Sequence, residues 1–152
     1  MNNCIEKQIE LHAPQSRVWQ ALVDHRQFGE WFGVSIEQPF ALGKVSRGHI
    51  THPGYEHLIM AVTVLAIEPQ RLFAYSWHPY AVDPTQDYSH ETPTRVEFTL
   101  QPSATGTLLR LVESGFENVP AARRAEAFRM NEGGWSAQMS NIERYLGHGT
   151  AA

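Results

Sequence analysis

Residues 128–147 read F-R-M-N-E-G-G-W-S-A-Q-M-S-N-I-E-R-Y-L-G. Phe128, Trp135, Met139, Ile142 and Leu146 fall at steps of seven, four, three and four, the spacing of an apolar stripe along one side of an α-helix. Asn118 and Pro120 supply its start and Gly147 its stop. Gly133 and Gly134 sit inside the pattern, each costing about 1 kcal/mol relative to Ala in a helix interior. The helix is therefore expected either to bend there or to let something large approach its backbone. Such a stripe has to be laid on an apolar surface, and the segments before it describe that surface.

Residues 94–100, T-R-V-E-F-T-L, alternate Val96, Phe98 and Leu100 with Arg95, Glu97 and Thr99, the period of a strand with one buried face. The stretch from Leu72 to Trp77 sets Phe73, Tyr75 and Trp77 against Leu72, Ala74 and Ser76. Residues 57–67 form a long Ile-, Val- and Leu-rich strand, Thr107 to Glu113 the last one, and 34–38 and 44–51 two more around Pro39 to Gly43. Pro53-Gly54, Glu68-Pro69-Gln70 and Pro102 to Gly106 mark turns, and connections this short favour antiparallel pairing. At the front, Ile5, Ile9 and Leu11 share one parity, with Lys7 sending its ammonium to the strand edge. Pro14 opens a helix carrying Val18, Ala21 and Leu22. Asp24 with Gln27 resembles a capping box for a second short helix with Phe28, Trp31 and Phe32, ended by Gly33. The predicted class is α+β: a curved antiparallel sheet wrapped around one long C-terminal helix, with two short helices after the first strand. Incomplete wrapping leaves a concave, mostly apolar space of the kind that takes small molecules.

Composition agrees. A chain of 152 residues with 42% hydrophobic content suits one folded domain, expected over 1–147 with a disordered tail at 148–152. A net charge of -4 argues against a nucleic-acid partner. The lone Cys4 allows no internal disulfide and reads as an inert thiol. The opening MNNCIEKQIEL has no apolar stretch after a basic region, so no signal peptide is expected. The longest apolar run, Leu58 to Ile67, is broken by Thr63 and is shorter than the ~18 residues of a membrane span. No membrane insertion is expected, and the cytoplasm is the expected compartment.

Catalytic motifs are weak. His49, His52 and His57 cluster near a turn, but 49 and 52 have opposite strand parity, and no metal is expected. Ser76 with His78, or Ser114 with Glu113 and Glu117, lack a G-x-S-x-G elbow. No nucleotide-binding glycine motif is present, and no catalytic residue or cofactor is assigned. Trp19, Phe98 and Phe128 read as packing. The residues expected to line a cavity are Trp31, Phe32, Phe73, Tyr75, Trp77, His78, Trp135 and Met139, with Trp77 nearest the mouth. Arg110 and Glu97 are expected to face solvent as a cross-strand pair, with a place inside the cavity for one of them as the alternative. Residues 79–93, with three prolines, form a long connection that is either a lid or disordered.

Four stretches together resemble the SRPBCC, or START-like, helix-grip superfamily, and within it the family of the activator of the heat-shock-protein-ninety ATPase. They are P-Q-S-R-V-W at 14–19 with Trp31-Phe32-Gly33; E-P-Q-R-L at 68–72 leading to Trp77; T-R-V-E-F-T-L with Gly106-Thr107 and E-S-G-F at 113–116; and Gly134-Trp135 with Ile142 and Tyr145-Leu146. The resemblance implies the helix-grip fold but little about function, because the superfamily hosts carriers, receptors, cyclases, hydrolases and co-chaperones. The expectation is a binding protein for a small hydrophobic or amphipathic molecule, without catalysis of its own. The alternatives are a chaperone-interacting module and an enzyme of the cyclase or hydrolase type using the same cavity. A homodimer stands among the expected assemblies.

Overall fold

In the computed structural model, residues 3–79 and 85–150 are described, the last three of them by their backbone alone. The elements run β1 (Cys4–Leu11), α1 (Gln15–Val23), α2 (His25–Phe32), β2 (Val34–Ile36), β3 (Val45–Ile50), β4 (Ile59–Glu68), β5 (Leu72–Trp77), β6 (Thr94–Pro102) and β7 (Thr107–Ser114), then a 3-10 turn (Phe116–Asn118) and α3 (Ala121–Thr150). The seven strands form one curved antiparallel sheet in the order β1-β7-β6-β5-β4-β3-β2. Neighbours in sequence pair from β2 to β7, and β1 closes onto β7 with Cys4 opposite Ser114 and Leu11 opposite Thr107. The α+β class and the two short helices are as predicted.

Alternation explains which face is buried. In β6, Thr94, Val96, Phe98 and Leu100 point inward while Arg95, Glu97 and Thr99 are half-buried outside. Phe98 lies opposite Phe73 on β5 and Leu111 on β7, so one apolar layer crosses the sheet. Against it α3 lays Trp135, Met139, Ile142 and Leu146, all buried. The helix packs on β1 and α2. Asp24 caps α2 by accepting from Arg26 N at 2.9 Å, and Gln27 reaches the Asp24 side chain rather than its backbone. Gly33 ends α2 in the left-handed region at φ 92°. A Cβ on Gly29 would stand 2.2 Å from the Val34 carbonyl oxygen, so α2 lies directly on the start of β2.

Three expectations are corrected. The α3 helix runs unbroken through Gly133 and Gly134 and does not stop at Gly147 but continues to Thr150; residues 151–152 of the expected tail lie outside the described residues. Nothing lies within 4 Å of a Cβ built on Gly133 or Gly134, so no large group crowds them. Glu97 and Arg110 both face outward but do not pair with each other. The register sets Glu97 opposite Val112 and Arg110 opposite Thr99. Arg110 instead holds Glu6 at 2.9 Å, and Glu97 holds Arg95 at 3.3 Å.

The open surroundings of Gly133 make its flexibility a pure cost to the helix. Gly133→Ala is expected to stabilise the protein by about 0.5–1 kcal/mol, read as a higher urea midpoint; a lower midpoint would mean that the site is crowded.

Candidate functional site

The inward face of β7 carries Thr107, Leu109, Leu111 and Glu113, each 0% exposed. A lone buried carboxylate is strongly disfavoured unless it is hydrogen-bonded. Glu113 meets four donors. Trp77 Nε1 at 2.8 Å and Thr94 Oγ1 at 2.5 Å donate to Oε2. Trp135 Nε1 at 2.8 Å and Asn131 Nδ2 at 2.9 Å donate to Oε1. An indole N–H can only donate, and a carboxylate only accept, so the arrangement is matched. The donors come from β5, β6 and α3, and Asn131 and Trp135 are one helical turn apart on the same side of α3. One side chain thus ties three elements to β7.

Sharing that carboxylate brings the two indoles together, with centroids 5.7 Å apart and planes at 34°. Phe32, at the end of α2, stands edge-on to both at 6.2 and 5.9 Å. These rings, with Met130, Asn131, Gly134 and Gln138, line a surface cleft of about 90 Å³. The indole N–H edges turn inward to Glu113, so the cleft meets ring carbon. Gly134 contributes no side chain, which leaves the mouth open. The wall formed by α2 is fixed to α3 by Gln138 Nε2 donating to Phe32 O at 2.8 Å and by Tyr145 Oη donating to Glu30 Oε1 at 2.6 Å. Burial first, and Glu30 second, raise the Tyr145 phenol above its ordinary value. A wider, more polar cleft of about 560 Å³ adjoins, sharing Phe32 and Gln138 and bordered by Glu30, Trp31, His52 and Arg144.

The residues expected to line a cavity are distributed unevenly. Phe32, Trp77 and Trp135 border the apolar cleft. Trp31 borders the polar one, its Nε1 donating to Ala21 O at 2.8 Å. Phe73 and Tyr75 are 0% exposed, in a ring cluster with Phe28 and Phe98. Met139 is buried on the α3 stripe. His78 is half-buried with Nε2 2.9 Å from Glu91 O. Packed rings occupy the middle of the interface between sheet and helix, and the apolar cleft lies beyond them. Asn131, Met130 and Gln138 were not anticipated as site residues, and Glu113 was weighed only as an acid beside Ser114. For Glu113 a signal existed, since it shares the parity of Leu109 and Leu111.

The long connection before β6 returns onto α3. Arg123 Nη2 meets Glu91 Oε1 at 2.6 Å, Nη1 donates to Pro79 O at 2.9 Å, and the guanidinium sits 4.7 Å from the Tyr88 ring centroid. Residues 80–84 of that connection, including Tyr80 and Val82, lie outside the described residues. Among the described residues no group of three or more His, Cys, Asp or Glu is placed to hold a metal ion, and no helix is long and apolar enough to cross a membrane.

A sheet that grips one long helix, with an aromatic cleft at the grip's open end, defines a helix-grip domain of the SRPBCC type. The chain belongs to the family described as Activator of Hsp90 ATPase homolog 1-like protein, whose model matches residues 12–147. It is similar to the crystal structure of the protein MLL2253 from Mesorhizobium loti, at 25% identity and TM-score 0.75, covering 95% of this chain and 97% of that one. The protein Ms6760 from Mycobacterium smegmatis shares the fold at 18% identity and TM-score 0.74, over 95% and 90% of the two chains. So does the Aha1 dimer from Colwellia psychrerythraea, at 15% identity and TM-score 0.71, over 94% and 95%. No curated protein sequence matches the chain.

Tyr75 Oη is buried without a hydrogen-bond partner among the described residues. Burial, and then the Glu113 charge, hold this phenol well above the ordinary value of 10. Because the folded value is raised, the stability linked to it is complete below about pH 10, where the unfolded tyrosine begins to ionise, and is lost as pH rises further. Tyr75→Phe is expected to match or exceed the parent at neutral pH and to lose less stability between about pH 9 and 11. Urea midpoints across that range check this; parallel alkaline declines in the two proteins would contradict it.

Proposed function

We propose that the protein binds a small apolar or amphipathic molecule without transforming it, taking the molecule's compact end onto Phe32, Trp77 and Trp135. The observation that carries this reading is the cleft itself. Phe32 and Trp77 stay only half-buried beside an open surface space whose lining also includes the buried Trp135, although burying them fully would have been favourable. Pockets that enclose a whole drug-sized ligand run to several hundred Å³. A space of about 90 Å³ suits one end group, with the remainder of the molecule lying toward the polar cleft. The cytoplasm is the compartment we propose.

A second reading, a chaperone-contacting module, is favoured by the family's description and by a different surface. Leu42, Val45 and Ile59 are 65%, 42% and 62% exposed on or beside the outer face of β3 and β4. Self-association through that face would parallel the dimeric Colwellia protein. The two readings separate experimentally, because the outer face plays no part in the cleft.

Gly134→Leu places a side chain in the cleft mouth from a helix position that tolerates it sterically. With small alcohols and amphiphiles as probes, the Trp77 and Trp135 indole resonances of the parent are expected to shift on titration. In Gly134→Leu the response should fall by at least about tenfold, while the melting temperature holds or rises. An undiminished response would place binding elsewhere, and a parent that responds to no probe would favour the chaperone-contacting reading.

A further inference from the structure

We infer that the ligand end group taken by this cleft is an organic cation without N–H bonds, a quaternary ammonium head. The inference rests on the cleft being the binding site and adds the class of ligand.

The first support is charge. Glu113 is fully buried directly behind the two indoles, and among the described residues no Lys, Arg or His forms an ion pair with it. Four hydrogen bonds satisfy its lone pairs but leave its net charge uncompensated. That charge acts across low-polarity side chains, where its field is screened less than in water. Among the described residues no Lys or Arg lines the cleft, and Arg144 borders the adjoining polar cleft instead. The ring nitrogens face the carboxylate, and an indole whose N–H is held by an anion carries more electron density on its π face. Aromatic faces attract cations, tryptophan most strongly, and the attraction grows when the cation is desolvated.

The second support is the poverty of hydrogen bonds in the cleft. Asn131 Nδ2 spends one N–H on Glu113, and Asn131 Oδ1 is among the few acceptors on the lining residues. Gln138 Nε2 is committed to Phe32 O, and its Oε1 accepts from Asn141 Nδ2 at 3.0 Å. A primary ammonium would surrender its hydration for few acceptors, which is costly. A carboxylate or phosphate would face the buried charge of Glu113. An alkylated ammonium presents charge on an apolar shell, and the walls it meets are Phe32, Trp77, Trp135 and the thioether of Met130.

The test compares choline with its uncharged carbon isostere, 3,3-dimethylbutan-1-ol, on ¹⁵N-labelled protein, reading the Trp77 and Trp135 indole peaks. Choline is expected to shift both peaks with an apparent affinity at least about tenfold above that of the alcohol. Tetramethylammonium should act like choline, and ammonium ion should not. Phe32→Leu should weaken choline more than the alcohol, and Gly134→Leu should remove both responses. Equal affinity for choline and the alcohol, or tighter binding of the alcohol, would overturn the cation assignment and leave the apolar-cleft reading standing. If neither compound moves an indole peak, the cleft reading falls and this inference falls with it.

Discussion

Two tryptophans donating to one buried carboxylate are the constraint on which the open end of this fold depends. Glu113 sits where β7 leaves the sheet, Trp77 where β5 ends, and Trp135 midway along α3. Hydrogen bonds to a charged group contribute about 1.5–3 kcal/mol each. Thr94 and Asn131 bring the number at this carboxylate to four. Their geometric effect matters as much as their energy, because each bond fixes a ring that would otherwise choose among rotamers. Gly115, at φ 99° directly after β7, turns the chain away where a side-chain-bearing residue would be strained.

From that anchor the division between packed core and open cleft follows. Phe28, Phe73, Tyr75 and Phe98 stack and cross at centroid distances of about 5.8–6.5 Å, and all four are 0% exposed. Trp77 and Trp135 are held at the end of this cluster by bonds that point inward. The carbon surface of the half-buried Trp77 is left for whatever enters over Gly134, with the buried Trp135 also in the lining. Phe32 completes the wall because Gln138 holds its backbone carbonyl. A cleft built in this way is preformed, and a ligand does not have to reorganise it.

Much of the architecture was legible from periodicity alone. Alternation in 72–77 and 94–100 named the inward faces of β5 and β6, and the stripe from Phe128 to Leu146 named the buried side of α3. Register was not legible: parity says that Glu97 and Arg110 face outward, but which residues meet depends on where the turns set the strands, and that gave Glu6–Arg110 instead. Depth was not legible either. Phe73, Tyr75 and Trp77 share one face, yet only Trp77 reaches the cleft, because ring volumes further along the strand fill the space. The parity of Glu113 pointed inward, but a charged residue beside Ser114 at a strand end reads as solvated unless its donors are known. Those donors lie on three other elements, distant in sequence. Gly134 illustrates the converse: inside a helical pattern it suggested either a bend or the approach of something large, whereas in the fold nothing lies within 4 Å of its Cβ position and it spares room at the cleft mouth.

The most direct test of the anchoring role is hydrogen exchange at the Trp77 and Trp135 indole N–H groups in the parent and in Glu113→Gln. In the parent, both protons are expected to exchange far more slowly than those of an exposed indole. An amide has one accepting and one donating end. Whichever way the introduced amide is turned, one indole N–H faces an NH₂ group. At least one indole is therefore expected to lose its protection, and stability to fall by about 1–3 kcal/mol. Two indoles as protected as in the parent, at unchanged stability, would show that the carboxylate does not hold the rings.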